Sequence, residues 1–186
     1  MYLVIRFHVM MLLVTIAWIL FRFIIGIKNQ KVSIKREIQL LAVYICIIFI
    51  CRFVYFPLEH DIYGIAPLVF VKNLMFPPRI NLIPFNFLTD IYPGWQINII
   101  GNILMFVPVG IVWPICFKEL DNIKKTVLAG FGFTLLIELS QLPFFDRCSD
   151  VDDLILNTTG AAIGAVIYFG IRRIKRAYTA KRHLAT

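Results

Sequence analysis

The sequence predicts an all-α integral membrane protein, a single polytopic domain over residues 1–186 with five transmembrane helices. Of its 186 residues, 60% are hydrophobic and only 16% are charged, whereas a soluble domain carries about 25% charged residues. A mean hydropathy of +0.81 indicates more apolar surface than one globular core can bury. The solvent for most of the chain is therefore lipid.

Five apolar segments account for the helices, because crossing the hydrocarbon core takes about 20 helical residues. They are predicted over residues 3–27, 38–58, 97–117, 126–142 and 151–171. The fourth segment is short and the fifth begins with charge, but both contain long uninterrupted apolar stretches. The first segment has no A-x-A-type cleavage site after it, so it is predicted to be a retained helix and not a signal peptide.

Basic residues fix the predicted orientation. They concentrate between the first and second helices, between the third and fourth, and after the fifth: Lys28, Lys31, Lys35, Arg36, Lys118, Lys124, Lys125, Arg172, Arg173, Lys175, Arg176, Lys181 and Arg182. Five crossings place all three regions on one side, and basic loops stay cytoplasmic. The N-terminus is thus predicted outside and the C-terminus in the cytoplasm. This topology explains the net charge of +8 without a nucleic-acid partner.

The long loop after the second helix is predicted to be external. Within it, residues 62–76 are apolar but contain Gly64, Pro67 and Lys72, and a sixth crossing would violate the positive-inside rule. Two interpretations stay open: an external loop with an interfacial helix, or a re-entrant segment. Residues 77–95 are too rich in proline for a helix at their start, and their aromatic side chains suit the outer interface.

Polar residues form a stripe on each of the last three helices. The stripes are Asn98, Gly101, Asn102 and Met105; Thr134, Glu138 and Gln141; and Asp150, Asp153, Asn157, Gly160 and Gly164. Spacings of three and four residues place each set on one helix face. With the predicted topology, the polar part of every stripe lies at the outer end of its helix. We therefore predict a shallow, outward-facing polar cluster beneath the external loop.

This cluster has two interpretations. In the structural one, Arg147 pairs with neighbouring acids, the amides bond between helices, and the cluster holds the bundle together. In the functional one, it lines an aqueous cavity and binds a cation or a hydrogen-bonding ligand, because the carboxylates exceed what the nearby arginines neutralise. Oxygen ligands would suit a hard divalent cation. Asp150, Asp152 and Asp153 also complement the dipole of the helix that they open.

Nucleophilic catalysis finds no support in the sequence. There is no Ser/His/Asp set, P-loop, GxGxxG or CxxC, so any catalysis would be acid–base or metal-assisted, with Glu138 and Asp153 as candidates. The four cysteines are predicted to be unpaired. The Gly160–Gly164 small-xxx-small pattern predicts close helix packing, and the basic tail beyond Arg172 predicts a helical extension against anionic headgroups.

The polar residues stand in motifs that resemble the VanZ-like family over about residues 80–172. The motifs are Asn81-Leu82-Ile83-Pro84-Phe85, Asn98-(x3)-Asn102-Ile103-Leu104-Met105-Phe106-Val107-Pro108-Val109-Gly110, Glu138-Leu139-(x)-Gln141, Arg147, and Asp150-Val151-Asp152-Asp153-(x3)-Asn157-Thr158-(x)-Gly160. The first two helices resemble those of the family only as apolar membrane helices, without a matching motif.

The resemblance implies a multi-pass protein of the bacterial cytoplasmic membrane, in a family whose namesake confers resistance to the glycopeptide teicoplanin. The positions that it implies for ligand binding are Asn98, Asn102, Glu138, Gln141, Arg147, Asp150, Asp153 and Asn157. Expected partners are membrane lipids and a lipid-linked cell-wall precursor or lipoglycopeptide. We expect a binding or shielding role, with an enzyme that modifies such a precursor as the alternative. A transporter is disfavoured because the cytoplasmic halves of the helices offer almost no polar lining.

Overall fold

The computed structural model of the chain describes residues 2–29, 33–56, 65–71, 79–89, 91 and 93–184. Its helices are α1 (Phe7–Asn29), α2 (Ile34–Tyr55), α3 (Trp95–Cys116), α4 (Ile123–Gln141) and α5 (Val151–Leu184). Short strands are β1 (Tyr2–Ile5), β2 (Leu68–Val71), β3 (Ile80–Asn81) and β4 (Ser149–Asp150). The predicted set of five helices is therefore present.

Four of these helices, α1, α2, α3 and α5, are long and apolar enough to cross a membrane. The helix α4 has 19 residues and spans about 28 Å, but it carries Lys124 and Lys125 in its first turn and Glu138 near its end. Because of these three charged residues, α4 is not among the helices that are long and apolar enough to cross a membrane. A membrane crossing by α4 remains a prediction.

The first helix and the external loop differ from the prediction. The helix begins at Phe7 and not at residue 3, because β1 pairs antiparallel with β2, from Tyr2 opposite Val71 to Ile5 opposite Leu68. The interfacial-helix interpretation of residues 62–76 is wrong for residues 68–71, which form this strand and bury Leu68 completely. Residues 62–64 and 72–76 lie outside the described residues, so the re-entrant alternative remains a prediction.

The other boundaries shift for local reasons. The helix α2 begins at Ile34 and not at residue 38. Its first turn is charged, so a prediction based on hydropathy did not include it. The helix ends at Tyr55, because Pro57 disfavours a helical conformation in the residue before it. The helix α3 begins and ends slightly earlier than the predicted 97–117. The helix α4 starts at Ile123 and not at 126, where Asn122 Oδ1 accepts a hydrogen bond from the Lys125 amide at 2.9 Å.

The helix α5 extends to Leu184 and not to residue 171. Its basic tail is rich in arginine, lysine and alanine, which favour helix. The 34 residues of the helix span about 51 Å, which exceeds the roughly 30 Å of a hydrocarbon core. The predicted helical extension is thus confirmed, and its contact with anionic headgroups remains a prediction.

Close packing of α3 against α5 confirms the small-residue prediction. Gly160 lies against Ile103, and a Cβ atom at Gly160 would overlap the Ile103 carbonyl oxygen. Gly164 lies in the same way against Val107, and Gly110 against Ala161. With no side chains between them, the two backbones come close enough for short polar side chains to bond across the interface.

The helices alternate in direction, as contacts between their ends show. The ring of Phe7 at the start of α1 lies 5.5 Å from that of Phe56 at the end of α2, and Cys116 Sγ at the end of α3 donates to the Gln39 carbonyl near the start of α2 at 3.1 Å. One end of the bundle, which we call the cluster end, therefore holds the starts of α1, α3 and α5 and the ends of α2 and α4. The opposite end, which holds Arg22 and Arg36, is called the basic end.

Candidate functional site

The first contact of the site joins α3 to α5. Asn102 Nδ2 donates a hydrogen bond to Asp153 Oδ1 at 2.6 Å and lies 3.4 Å from Asn98 Oδ1. Asn98 and Asn102 stand one turn apart near the start of α3, and Asp153 lies in the first turn of α5. Asn98 is exposed, and the other two side chains are half-buried. The structure thus brings these three predicted residues together.

Glu138 supplies a second, more deeply buried carboxylate from α4. Its side chain is 6% exposed, its Oε2 atom accepts a hydrogen bond from the Asp150 amide at 2.9 Å, and its carbonyl accepts one from Ser149 Oγ at 2.5 Å. Glu138 also interacts electrostatically with Asp150 and Asp153. Like charges repel strongly in a poorly solvated site, so a cation or a hydrogen-bond donor placed between these groups would be stabilised.

The deepest polar pair lies between α4 and α5. Asn157 Nδ2 donates to Thr134 Oγ1 at 2.9 Å, and both side chains are fully buried. Asn157 lies six residues along α5 from Val151, which corresponds to a depth of about 9 Å. Its Oδ1 atom has no hydrogen-bond partner among the residues that the structure describes, so a buried acceptor is available there.

These groups follow one another from the surface of the cluster end into the bundle. We call this set the polar track, and it consists of Asn98, Asn102, Asp153, Glu138, Asn157 and Thr134. Five of the six were predicted as site residues, and the sixth, Thr134, stands on the predicted stripe of α4. Exposure falls along it, from the exposed Asn98 to the fully buried Thr134. The track therefore offers a graded series of hydrogen-bonding groups leading inward.

Two predicted site residues bond elsewhere. Gln141 Nε2 donates to the Val54 carbonyl at 3.3 Å, and Arg147 Nη2 donates to the Tyr55 carbonyl at 2.9 Å. The last carbonyl groups of a helix have no partners within it. Both side chains therefore complete the end of α2. For Gln141 this is the bond between helices that the structural interpretation expected, whereas for Arg147 that interpretation named a neighbouring acid and not a carbonyl group as the partner.

Asp152 is a residue that the predicted site left out. Its side chain is 5% exposed, and its two carboxylate oxygens accept hydrogen bonds from the Phe85 amide at 2.6 Å and the Phe87 amide at 3.1 Å. Asp152 stands off the stripe of Asp150, Asp153 and Asn157, so helical spacing gave no reason to include it. Only the motif Asp150-Val151-Asp152-Asp153, to which it belongs, could have indicated it.

Asp150 connects the segment from Asn81 to Phe87, which Asp152 also contacts, to the polar cluster. Its Oδ2 atom accepts a hydrogen bond from Asn81 Nδ2 at 3.0 Å, and its Oδ1 atom accepts one from the Asp152 amide at 2.8 Å. The strands β3 and β4 pair in parallel beside these bonds. Three motifs that are far apart in the sequence, beginning at Asn81, Asn98 and Asp150, thus meet at the cluster end.

The sequence left a divalent cation open as one ligand of the cluster. Across the described ranges, no group of three or more His, Cys, Asp or Glu side chains is arranged to hold a metal ion. The carboxylates are instead bonded to backbone amides and to side-chain amides. The four cysteines are free, as predicted.

Two cavities lie at the basic end and not at the polar track. Their volumes are about 370 and 310 Å³, and both are lined by Trp18, Glu37 and Leu40 between α1 and α2. An open aqueous cavity at the cluster end therefore remains a prediction.

A bundle of apolar helices that buries carboxylate and amide groups at one end defines a helical membrane protein with a polar interior site. The chain belongs to the VanZ/LLP1 family, whose match covers residues 9–173 and so includes the first two helices, which the motifs did not reach. It is 31% identical over 75 residues to Protein VanZ of Enterococcus faecium. That alignment covers 38% of this chain and 44% of that protein, so the chain spans less than half of the relative's length. No solved structure matches the chain.

Proposed function

We propose that this protein contributes to resistance against glycopeptide antibiotics of the teicoplanin type by binding a cell-envelope component, or the drug itself, at the polar track. Membership of the VanZ/LLP1 family supports the resistance role. The observation that carries the binding role is the pair of carboxylates formed by the buried Glu138 and the half-buried Asp153 at one end of the bundle. Polar groups inside membrane helices are costly to place and are by default functional.

The orientation that we propose places the cluster end outside the bacterial cytoplasmic membrane. The described acids at that end include Glu138, Asp146, Asp150, Asp152 and Asp153. The described cations at the basic end include Arg22, Lys35, Arg36, Lys118, Lys124, Lys125 and the α5 extension. Basic segments that flank membrane helices stay in the cytoplasm. The polar track then faces the side on which cell-wall precursors and glycopeptides meet.

The chemistry of the polar track favours a ligand that donates hydrogen bonds. The carboxylates of Glu138 and Asp153 are acceptors, and Asn157 Oδ1 adds a buried acceptor without a described donor. Ammonium, amide and hydroxyl groups match this set. Sugars and peptides carry such groups, so both a lipid-linked peptidoglycan precursor and a lipoglycopeptide fit. Acid–base chemistry at Glu138 or Asp153 on such a precursor is the alternative function.

Precursor pools and drug binding separate these two functions. Cells with and without the protein should contain the same lipid-linked and soluble precursors by mass spectrometry. Cells with the protein should bind less labelled teicoplanin at their surface if the track binds a precursor, and more if it binds the drug. A new or depleted precursor would establish the enzyme. An unchanged pool together with unchanged drug binding and unchanged susceptibility would contradict a role in resistance.

A further inference from the structure

A segment at the cluster end exposes an unusual amount of apolar surface. We call residues 80–89 the rim loop. Four of its side chains are largely exposed: Leu82 at 75%, Ile83 at 66%, Phe85 at 53% and Leu88 at 66%. The sequence contains no charged residue between Ile80 and Thr89. Several largely exposed apolar side chains within one short segment mark a surface that a protein or a membrane covers.

The rim loop holds these side chains outward through defined bonds. Asp152 accepts the Phe85 and Phe87 amides with its two oxygens, and Asn81 Oδ1 accepts the Ile83 amide at 3.1 Å. Phe85 has a φ of 64°, a left-handed conformation that is unfavourable for a bulky residue and persists only where the surroundings enforce it. A buried carboxylate thus fixes an exposed apolar loop.

The position of the loop indicates what covers it. Ile97, Ile100 and Leu104 lie on one face of α3 and are 75%, 55% and 62% exposed. This face belongs to a helix apolar enough to cross a membrane, so it is expected to contact lipid. The rim loop precedes α3 directly and is bonded to the first turn of α5 through Asp152. It therefore stands at the level where the membrane helices begin.

We propose that the rim loop inserts Leu82, Ile83, Phe85 and Leu88 into the boundary of the bilayer at the cluster end, with Asp152 as the positioning residue that holds it there. Aliphatic and aromatic side chains settle in this region of a membrane. The bilayer boundary then borders the polar track at Asn98, so a ligand approaches it from the headgroup layer. The insertion of the rim loop is independent of the proposed resistance function, whereas the approach of a ligand from the headgroup layer rests on it.

A single tryptophan reports the insertion. Leu82→Trp is made in a chain that carries Trp18→Phe, Trp95→Phe and Trp113→Phe, and the protein is reconstituted in phosphatidylcholine liposomes with or without bromine on the acyl chains. We expect strong quenching by brominated lipid and little by aqueous iodide. Glu119→Trp in the same background, on the exposed loop before α4, is the control and should show the reverse. Quenching of the Leu82→Trp signal by iodide alone, or by neither agent, would overturn the proposal, since the loop would face water or another protein surface.

A second probe covers the case in which the tryptophan replacements fail to fold. Leu82→Cys in a Cys148→Ser chain carries an environment-sensitive fluorophore, because the other three cysteines are buried. Its emission should shift to shorter wavelength in liposomes. An emission maximum equal to that of the dye in water would overturn the insertion.

Asp152→Asn tests the positioning role in either probe background. An asparagine side chain has only one acceptor oxygen and turns an NH₂ group toward a backbone N–H, so the loop should be released and most of the brominated-lipid quenching lost. Asp146→Asn, an exposed carboxylate in the same connection, should leave the quenching unchanged. Circular dichroism checks that both variants retain their helices. Equal quenching in a folded Asp152→Asn variant would overturn the role of Asp152.

Discussion

Glu138→Gln and Asp153→Asn should each abolish the protection against teicoplanin that the wild-type chain gives. Each replacement keeps the size of the side chain, but it prevents the group from ionising and leaves one acceptor oxygen where the carboxyl group has two. At Asp153 the remaining oxygen can still accept from Asn102 Nδ2, which donates across 2.6 Å, so the new NH₂ group is turned toward the ligand. Loss of a charged hydrogen bond costs about 1.5–3 kcal/mol, which corresponds to a roughly 10- to 100-fold weaker ligand affinity.

The measurement is the inhibitory concentration of teicoplanin for a susceptible strain that expresses each variant, with protein levels matched by immunoblotting. Asp121→Asn is the matched control, because Asp121 is an exposed carboxylate at the basic end that pairs with Lys125 at 2.9 Å. This control should retain full protection. Full protection by both Glu138→Gln and Asp153→Asn would leave the cluster with only a structural role.

Gly160→Ala should be strongly destabilising, although it adds one methyl group. The added Cβ atom would overlap the carbonyl oxygen of Ile103, and a backbone atom cannot move aside without separating α3 from α5. Overpacking of a core costs about 1–3 kcal/mol and occasionally more. Separation of the helices would also lengthen the bond between Asn102 and Asp153, so protection against the drug should fall together with stability.

Gly170→Ala on the same helix is the control. No atom lies within 4 Å of a Cβ atom built there, and alanine favours helix over glycine by about 1 kcal/mol. Thermal unfolding of the purified protein in detergent should show a lower midpoint for Gly160→Ala and an equal or higher one for Gly170→Ala. Equal midpoints for wild type and Gly160→Ala would contradict the close approach of the two helices.

The helices could be predicted from the sequence because each is an apolar run of membrane-spanning length or close to it. Their ends could not be predicted in the same way. Hydropathy does not distinguish an apolar strand from the start of an apolar helix, so residues 3–5 of the strand β1 were assigned to the first helix. It also does not register charged residues that continue a helix, so hydropathy ended the fifth helix at residue 171 and only the basic composition of the tail indicated its extension.

The residues of the site divide in the same way into those that the sequence could predict and those that it could not. Asn102, Glu138 and Asp153 could be placed at one end because spacings of three and four residues define a helix face. The partners of Gln141 and Arg147 are carbonyl groups at the end of α2, about 90 residues earlier in the chain. No local pattern predicts such contacts, since they depend on how the elements pack.

The bonds of Asp152 show the same limitation most clearly. Its partners are the backbone amides of Phe85 and Phe87, and every residue except proline carries such an amide. The side chains at those positions therefore gave no sign of the contact. A carboxylate beside two others in the sequence was instead expected to serve the helix dipole.

The proposed account depends most on which side of the membrane the cluster end faces, and Cys148 reports this directly. Cys148 is the exposed cysteine, whereas Cys46, Cys51 and Cys116 are buried. Partial burial of its thiol and the nearby Asp150 charge raise the pKa of Cys148. Because the thiolate is the reactive form, labelling should be slow at neutral pH and accelerate as the pH rises.

A membrane-impermeant maleimide applied to intact spheroplasts at mildly alkaline pH should label the wild-type protein and should not label Cys148→Ser. Glu119→Cys in the Cys148→Ser chain, at the basic end, should be labelled only after the membrane is permeabilised. Two results together would contradict an outward-facing polar track: labelling of Glu119→Cys in intact spheroplasts, and labelling of Cys148 in the wild-type protein only after permeabilisation.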